Sequence, residues 1–261
     1  MTKLRGALVD LDGTVYRGER LVPDAELGLE ALLAAGVTPV FLSNNATKRP
    51  TEYREKLARL GIEVPVERIL NSAAISADYL ATHHPDAGVY VAGEASLRAE
   101  LRDAGLSVVS APEQTDVVLA SLDRSFDYDT LQDVLDADRD GETLLFATNP
   151  DRTCPVEGGE IPDCGAVIGA IEGLLGRDID RVLGKPSQVT IDVALDRLGV
   201  APDECVMIGD RLETDIQMGE LAGMETALVL SGVTDRADLA AADAEPDYVL
   251  DSLADARTIL E

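Results

Sequence analysis

The sequence predicts an α/β protein: a doubly wound, Rossmann-like parallel sheet interrupted by a second α/β domain. Strand-like apolar runs alternate with helical patterns at both ends of the 261-residue chain, and this alternation is typical of a parallel sheet. The middle of the chain has strand and helix patterns of its own. We therefore predict a core formed by residues 1–78 and 182–261, with an inserted α/β domain, here called the cap, over 79–181.

The first sixty residues predict strand, helix, strand and helix in that order. The segments GALVDL and TPVFLSNN are short and apolar, which favours strands. PDAELGLEALLAAG and TKRPTEYREKLARLG have apolar residues at helical spacing and end at a glycine, which favours helices. This order is that of a parallel βαβ unit.

The rest of the chain continues the alternation. In the cap, the predicted strands are AGVYVAG, TDVVLASL and ETLLFATN, and the predicted helices are EASLRAELRDAG, YDTLQDVLDAD and GAVIGAIEGLLG. After the cap, the predicted strands are DECVMIGD, ETALVLSG and the start of DYVLDSLADARTIL, and the predicted helices are PSQVTIDVALDRLG, LETDIQMGELAG and the end of DYVLDSLADARTIL.

Polar side chains cluster at four predicted strand ends or turns. They are Asp10 with Asp12, Ser43 with Asn44 and Asn45, Lys185 in a Gly-Lys-Pro-Ser turn, and Asp210 followed by Asp215. Each is a weak signal alone, because Asp-Gly turns and helix caps also use these residues. Ligands of parallel α/β sheets bind at the carboxyl ends of strands, so the four together predict one site.

This set of residues suits phosphoryl transfer assisted by Mg²⁺. Asp10 and Asp210 can supply carboxylate ligands, which Mg²⁺ prefers, whereas Asp12 is better placed to offer its backbone carbonyl and keep its side chain for proton transfer. Ser43 can donate a hydrogen bond to a phosphoryl oxygen. Lys185 is a point charge suited to a phosphate or to a carboxylate nucleophile. Positioning and charge neutralisation dominate phosphoryl transfer, and an Asp nucleophile forms an aspartyl-phosphate.

The charge of the chain restricts its partners. The net charge is -27, with four Lys against eighteen Arg and no Trp. This composition resembles that of halophilic proteins, and we predict a high-salt cytosol; an unusually acidic surface is the alternative. Without a basic face, nucleic acid is not an expected partner.

The hydropathy of the chain, its first residues and its cysteines predict the compartment. No run approaches the roughly 20 apolar residues that span a bilayer, so no membrane partner is expected. The first residues have no signal-peptide layout, and a cytoplasmic protein is expected. Cys154, Cys164 and Cys205 are interpreted as structural cysteines of a reducing compartment, and the adjacent His83 and His84 as a solvated helix end.

Several segments together resemble one enzyme family. DLDGTVYRG, SNN, GKPS and GDRLETDI are similar to the four motifs of the haloacid dehalogenase (HAD) superfamily of phosphatases. ATNPD and GMETALVLSGVT resemble its NagD-like branch, which includes nitrophenylphosphatases, phosphoglycolate phosphatases and nucleotide or sugar phosphatases. That branch has a large α/β cap between its second and third motifs, where the insertion predicted above lies.

The resemblance implies a role for each core residue. Asp10 is implied as the nucleophile, and Asp12 as the acid that protonates the leaving alcohol and then activates water. Ser43, Asn44 and Asn45 are implied to hold the phosphoryl group. The remaining implied roles are Lys185 steadying Asp10 and the phosphoryl group, Asp210 binding Mg²⁺, Asp215 supporting the metal waters or Lys185, and Gly13–Gly18 gating the site.

Other positions leave alternatives open. Asn149 and Asp151 are interpreted either as substrate contacts from the cap or as a turn. Tyr16 and Arg17 line the entrance or simply pack the flap. Asp163 and Cys164 stand where the family often has Gly and a small residue, which leaves the substrate open among sugar phosphates, phosphoglycolate and nucleotides. The resemblance also implies a homodimer formed through the cap.

Three functions are compatible with these residues. The first is a Mg²⁺-dependent phosphomonoesterase acting on a small phosphorylated metabolite, which the intact Asp12 favours. The second is a non-catalytic phosphate sensor on the same fold, and the third a receiver-type phospho-switch. Every catalytic position is filled, and a receiver is a single smaller domain, so the phosphatase is the prediction. The absence of Lys from 79–181 argues against an imine-forming phosphonate hydrolase.

Overall fold

The computed structural model describes residues 3–156 and 158–261, and its first sheet confirms the doubly wound core. Six parallel strands lie in the order Ile69–Asn71, Thr38–Ser43, Gly6–Asp10, Cys205–Gly209, Glu225–Val229 and Tyr248–Leu250. Numbered along the chain, this order is 3-2-1-4-5-6, the arrangement of doubly wound nucleotide-binding folds. The α-helices of this part are Ala25–Ala34, Pro50–Arg59, Ser72–His83, Gln188–Leu198, Gln217–Ala222 and Arg236–Ala241.

A second parallel sheet is formed by the middle of the chain. Its five strands lie in the order Ser107–Val109, Gly88–Ala92, Val117–Ala120, Leu144–Ala147 and Arg181–Val182. Its helices are Ala95–Asp103, Tyr128–Ala137 and Cys164–Leu175. This sheet is the α/β insertion that the sequence predicts. The predicted bounds of 79–181 stay predictions, and the first falls within helix Ser72–His83.

Two antiparallel hairpins are the remaining strands among the described residues. The first, here called the flap hairpin, pairs Tyr16–Arg17 with Arg20–Leu21, directly after the first strand. The second, here called the cap hairpin, pairs Thr153–Val156 with Gly159–Pro162 and leads into helix Cys164–Leu175. Both hairpins contribute residues to the site described below.

The first sheet is buried on both faces. Leu8 and Val9 are consecutive residues of one strand, yet each is fully buried, in different apolar clusters. Helices on both faces of a parallel sheet require such continuous apolar strands. Among the described residues, no helix has the length and apolar character to cross a membrane.

The closing helix that the sequence predicts is present and is a 3₁₀-helix. After strand Tyr248–Leu250, residues Leu253–Leu260 form a 3₁₀-helix. Its buried residues Leu253, Ala256 and Ile259 repeat every third position, and a helix of three residues per turn places all of them on one face.

The predicted helix over LETDIQMGELAG begins irregularly. Residues Leu212–Ile216 form one π-helical turn before helix Gln217–Ala222. In this turn the carboxylate of Asp215 accepts hydrogen bonds from the backbone N–H groups of Asp210 and Arg211. Single π turns often occur at functional sites, and this one returns Asp215 to the strand end.

Candidate active site

The two central strands of the first sheet place Asp10 and Asp210 side by side. Asp10 ends strand Gly6–Asp10, and Asp210 follows the paired strand Cys205–Gly209. The strand order reverses between these two strands, and ligands of doubly wound folds bind at that point. The fold therefore positions both carboxylates where a ligand site is expected.

Lys185 is paired with two buried carboxylates. Its Nζ lies 2.6 Å from Oδ1 of Asp10 and 2.6 Å from Oδ1 of Asp215, and its side chain is 2% exposed. Burial lowers the pKa of Lys185, but the charges of Asp10 and Asp215 outweigh burial and hold the pKa above its usual value. Lys185 therefore stays a cation beside Asp10.

Burial and the neighbouring charges shift the pKa of Asp10 in opposite directions. Burial raises the pKa of Asp10 well above its usual value, Lys185 lowers it, and the nearby charges of Asp215 and Asp210 raise it further. Three carboxylates share this small volume with one lysine. A further positive charge there would favour the carboxylate form of Asp10, which a nucleophile requires.

The acidic cluster fits a divalent cation. Carboxylate oxygens of Asp10, Asp210 and Asp215 lie within 4.8 Å of one another. In the described part of the chain, Oδ2 of Asp10 and Oδ1 of Asp210 are buried without a hydrogen-bond partner. Leaving such atoms unpaired is costly, and a hard cation such as Mg²⁺ takes carboxylate oxygens of this kind. Burial and the charge of Asp215 raise the pKa of Asp210 to about 7, an effect that a bound cation would oppose.

Asp215 has a different environment from the other two acids. Its Oδ1 accepts the hydrogen bond of Lys185, and its Oδ2 accepts the backbone N–H groups of Asp210 and Arg211. Both oxygens are thus already engaged within the protein. Asp10 and Asp210 are the acids with an oxygen left for a cation, and Asp215 supports them.

Two glycines let the backbone approach Asp210. A Cβ at Gly232 would lie 1.9 Å from Oδ2 of Asp210, and a Cβ at Gly13 would lie 2.3 Å from the same atom. Gly13 also has φ +97°, in the left-handed region that favours glycine. The turn after Asp12 therefore needs glycine for both space and backbone conformation.

Asp12 lies apart from the acidic cluster. Its Oδ2 accepts a hydrogen bond of 3.2 Å from the hydroxyl of Tyr16, and burial raises the pKa of Asp12. Tyr16 itself is fully buried, so it packs inside the flap and does not line the entrance. Arg17 is exposed and donates a hydrogen bond to the backbone of Gly232.

The Ser-Asn-Asn segment lies beside Asp10 at the end of strand Thr38–Ser43. Ser43, Asn44 and Asn45 all line the cavity at Asp10. The Asn44 side chain donates to the Lys185 carbonyl and accepts from the Lys185 N–H. Its amide is therefore engaged in holding the Lys185 turn, which leaves the side chain of Ser43 and backbone groups for a ligand.

The structure separates Asn149 from Asp151. Asn149 is 1% exposed, donates to the Asn44 carbonyl and accepts from the N–H of Asp151, and it is not among the residues that line the cavity. Asp151 does line the cavity, 4.0 Å from Nη1 of Arg211. Asn149 thus forms a turn that supports the Ser-Asn-Asn segment, and Asp151 faces the site.

The cavity at Asp10 is small, with a volume of about 40 Å³. Sequence reasoning assigned no site role to four of the residues that line it, namely Cys154, Asp163, Arg211 and Thr214. Arg211 and Thr214 lie inside the GDRLETDI segment. The cationic side chain of Arg211 and the hydroxyl of Thr214 are the signals in the sequence that could have indicated a site role. Cys154 and Asp163 come from the cap hairpin region, whose orientation no local pattern reveals.

The cap side of the cavity is acidic. Burial raises the pKa of Asp163 to about 6 and also raises that of Asp151, while Arg211 opposes both shifts. Arg211 also donates a hydrogen bond of 3.2 Å to the backbone carbonyl of Thr153. Arg211 therefore joins the strand end that carries Asp210 to the cap hairpin.

A larger cleft leads outward from Asp12 and Asp210. Its volume is about 900 Å³, and it runs between the flap hairpin at Arg17–Leu21 and Glu160 of the cap hairpin. The small cavity and the cleft share Asp12, so together they offer room for a phosphoryl group and the rest of a small metabolite.

Comparisons with known proteins agree with this architecture. Residues 7–107 match the model of haloacid dehalogenase-like hydrolases, and residues 182–256 match a HAD-hydrolase-like model. The sugar-phosphatase AraL of Bacillus subtilis is 39% identical over 98% of this chain and 93% of its own. The p-nitrophenyl phosphatase of Archaeoglobus fulgidus is 35% identical with a TM-score of 0.92, covering 99% of this chain and 100% of its own. NagD of E. coli K-12 is 32% identical with a TM-score of 0.86, covering 98% of both chains.

These matches span both parts of the core and the insertion between them. The chain belongs to the haloacid dehalogenase-like hydrolase family. Within it, the chain lies in the NagD-like branch of phosphatases, as its motifs and its inserted cap indicate.

Proposed function

We propose that this protein is a Mg²⁺-dependent phosphomonoester hydrolase that acts on a small phosphorylated metabolite through an aspartyl-phosphate. The observation that carries the proposal is the pair of carboxylate oxygens on Asp10 and Asp210 that have no hydrogen-bond partner among the described residues, beside the buried ammonium of Lys185. Asp10 and Asp210 would hold Mg²⁺, together with the backbone carbonyl of Asp12. The cation would neutralise charge on the phosphoryl group.

The residues of the chain divide the chemistry between them. Asp10 attacks phosphorus, the bond from phosphorus to the ester oxygen breaks, and Asp12 gives that oxygen a proton. Asp12, now a carboxylate, takes a proton from water, which then hydrolyses the aspartyl-phosphate. Asp12 suits this role because its carboxylate lies outside the acidic cluster and is held by Tyr16.

The phosphoryl group would be held by the lining of the small cavity. Ser43 supplies a hydroxyl, Asn44 and Asn45 supply backbone groups, and Lys185 supplies charge. Such preorganised charges and dipoles stabilise a transferring phosphoryl group without reorganisation during the reaction. Asp215 keeps Lys185 in position through its 2.6 Å contact.

The cap side of the cavity favours a neutral leaving group. Asp151 and Asp163 line the cavity and can accept hydrogen bonds from hydroxyl groups. These two acids outnumber Arg211, which lies 4.0 Å from Asp151, so the cap side disfavours a carboxylate or a second phosphate. We therefore rank sugar phosphates above phosphoglycolate and nucleotides. The name of the related AraL protein, a sugar-phosphatase, supports this order.

Phosphate release tests the proposal. We expect the protein, in high potassium chloride, to hydrolyse 4-nitrophenyl phosphate and a panel of sugar phosphates only when Mg²⁺ is present. Chelation should abolish turnover and added Mg²⁺ should restore it. Within the panel, kcat/KM for a neutral sugar phosphate should exceed that for phosphoglycolate by about tenfold or more, since one like-charge contact is costly in a desolvated site. A folded protein without turnover of any ester would overturn the proposal.

The remaining expectations are part of the same proposal. We propose a cytoplasmic enzyme adapted to high salt, on the basis of its net charge of -27. We also propose a homodimer formed through the cap. In support, Tyr128 and Leu135 of one cap helix and Leu174 of another are exposed apolar side chains.

A further inference from the structure

Two buried residues, Tyr16 and Lys56, form a series of contacts that ends at the carboxylate of Asp12. The hydroxyl of Tyr16 lies 3.2 Å from Oδ2 of Asp12. On the face of the same ring, Nζ of Lys56 lies 3.4 Å from the ring centroid. Tyr16 is fully buried and the side chain of Lys56 is 5% exposed. An ammonium in this position is a close cation–π contact.

The local structure holds the tyrosine firmly. Tyr16 begins the flap hairpin, and its carbonyl accepts a 2.8 Å hydrogen bond from the N–H of Gly13. An isolated β-bridge joins Asp12 to Tyr16. The turn after Asp12 therefore places the Tyr16 hydroxyl against the Asp12 carboxylate.

Lys56 is an unusual residue for its position. It lies on helix Pro50–Arg59, on the face that also buries Tyr53 and Leu57. Burial lowers its pKa, which the charge of Asp12 opposes. The chain has only four lysines, and an apolar residue there would avoid the cost of desolvating a charge. Its ion pair with Glu19 is 3.8 Å long, too long to account for that cost.

We propose that Tyr16 and Lys56 are positioning residues that fix the Asp12 carboxyl group for proton transfer to the leaving oxygen. This inference rests on the proposed function, which gives Asp12 that role. Tyr16 donates to Oδ2, so Oδ2 is held as an acceptor and Oδ1 is the oxygen that carries the proton. Lys56 locks the ring from its face and strengthens the phenol as a donor.

The proton-transfer step follows from this arrangement. As the bond from phosphorus to the ester oxygen breaks, its electron pair stays on the leaving oxygen, and the proton on Oδ1 of Asp12 moves to that oxygen. Asp12 becomes a carboxylate, which the Tyr16 hydroxyl and the Lys56 charge stabilise. The Tyr16 hydroxyl, 3.2 Å from Oδ2 of Asp12, remains the donor to that oxygen.

Substrates with different leaving groups test the inference. 4-Nitrophenolate is a stable anion that leaves with little help from an acid, whereas the alkoxide of a sugar phosphate needs a proton. For Tyr16→Phe we expect kcat/KM for a sugar phosphate to fall about 10- to 100-fold, and kcat/KM for 4-nitrophenyl phosphate to fall by no more than about threefold. Lys56→Met should give a smaller difference in the same direction, and Lys56→Arg, which keeps a cation over the ring, should restore it.

A matched control is available at the edge of the first sheet. The hydroxyl of Tyr248 lies 3.2 Å from Oε2 of Glu225, so Tyr248→Phe removes an equivalent hydrogen bond far from the site and should leave both rates unchanged. Equal losses on both esters in Tyr16→Phe, or no loss on either, would overturn this inference alone. A wild-type protein that hydrolyses neither ester would overturn the proposed function and the inference with it.

Discussion

Asp10→Asn is expected to lower kcat for phosphomonoesters by about 10⁴-fold or more, because the amide cannot form the covalent intermediate. Asp10 ends the first strand and is 6% exposed. One of its carboxylate oxygens accepts a hydrogen bond from Lys185, and the other has no partner in the part of the chain that the structure describes. The amide is nearly isosteric and removes a buried charge, so the fold should persist. Steady-state phosphate release and circular dichroism together measure both effects.

A matched acid-to-amide change separates this effect from a general loss of charge. Asp203 is an exposed residue of the turn Pro202–Glu204, which precedes strand Cys205–Gly209. Asp203→Asn should keep kcat within about twofold of wild type, as surface changes usually do. Substantial turnover by folded Asp10→Asn, within about tenfold of wild type, would rule out the covalent role.

Lys185→Met is expected to remove activity and also to destabilise the fold. The side chain is 2% exposed and lies 2.6 Å from each of two carboxylates, so its removal leaves the buried carboxyl groups of Asp10 and Asp215 without their cation. Breaking a buried pair in this way costs about 3–5 kcal/mol. Urea unfolding at neutral pH without Mg²⁺ should show this decrease, and kcat should fall by about 10³-fold or more.

The loss of stability caused by Lys185→Met should depend on pH and on Mg²⁺. The folded pKa of Asp10 is raised by burial, so the folded variant takes up protons before the unfolded chain does. Its free energy of unfolding should therefore rise as the pH falls from neutral toward the usual Asp pKa of 3.8. Saturating Mg²⁺ should also recover part of the loss.

Lys3→Met provides the control, because Lys3 is an exposed lysine outside the site. Its free energy of unfolding should stay within about 0.5 kcal/mol of wild type. If Lys185→Met lowered the free energy of unfolding by less than about 1 kcal/mol, the buried ion pairs would not contribute the stability assigned to them.

The predictable part of the site is the part carried by strand ends. Alternating strands and helices require a parallel sheet, and a parallel sheet brings its carboxyl ends to one edge. Asp10, Ser43 and Asp210 could therefore be placed together before any coordinates were known. Lys185 follows the last strand of the second sheet, and its place in the site could be inferred only because its turn belongs to the same motif set.

The unpredictable part depends on contacts between distant segments. No periodicity shows that Asn44 pairs with the Lys185 backbone or that Arg211 donates to Thr153 across to the cap hairpin. Tyr16 lies in a short apolar stretch that fits a flap as well as a core. Its contact with Lys56 joins the flap to helix Pro50–Arg59, and a local pattern cannot show such a pairing.

Two of the predicted helices depart from regular α-helical winding, which local propensity does not reveal. The Leu253–Leu260 segment has good α-helix formers, yet its buried residues repeat every three positions and the segment is 3₁₀. At Leu212–Ile216, the hydrogen bonds that Asp215 accepts from the strand end accompany a wider turn. The cytoplasmic, high-salt and dimeric expectations stay predictions, because they concern the surroundings of the chain.

The most direct test of the central claim is to trap the phosphoryl group on the chain. Asp12→Asn should accept a phosphoryl group from 4-nitrophenyl phosphate, whose leaving group needs little acid, yet release it slowly because no base activates water. Acid quenching followed by intact-mass and peptide analysis should find one phosphoryl group, on the peptide that contains Asp10. Release of 4-nitrophenol with no phosphoryl group on the chain, or with the group on another residue, would contradict an aspartyl-phosphate at Asp10.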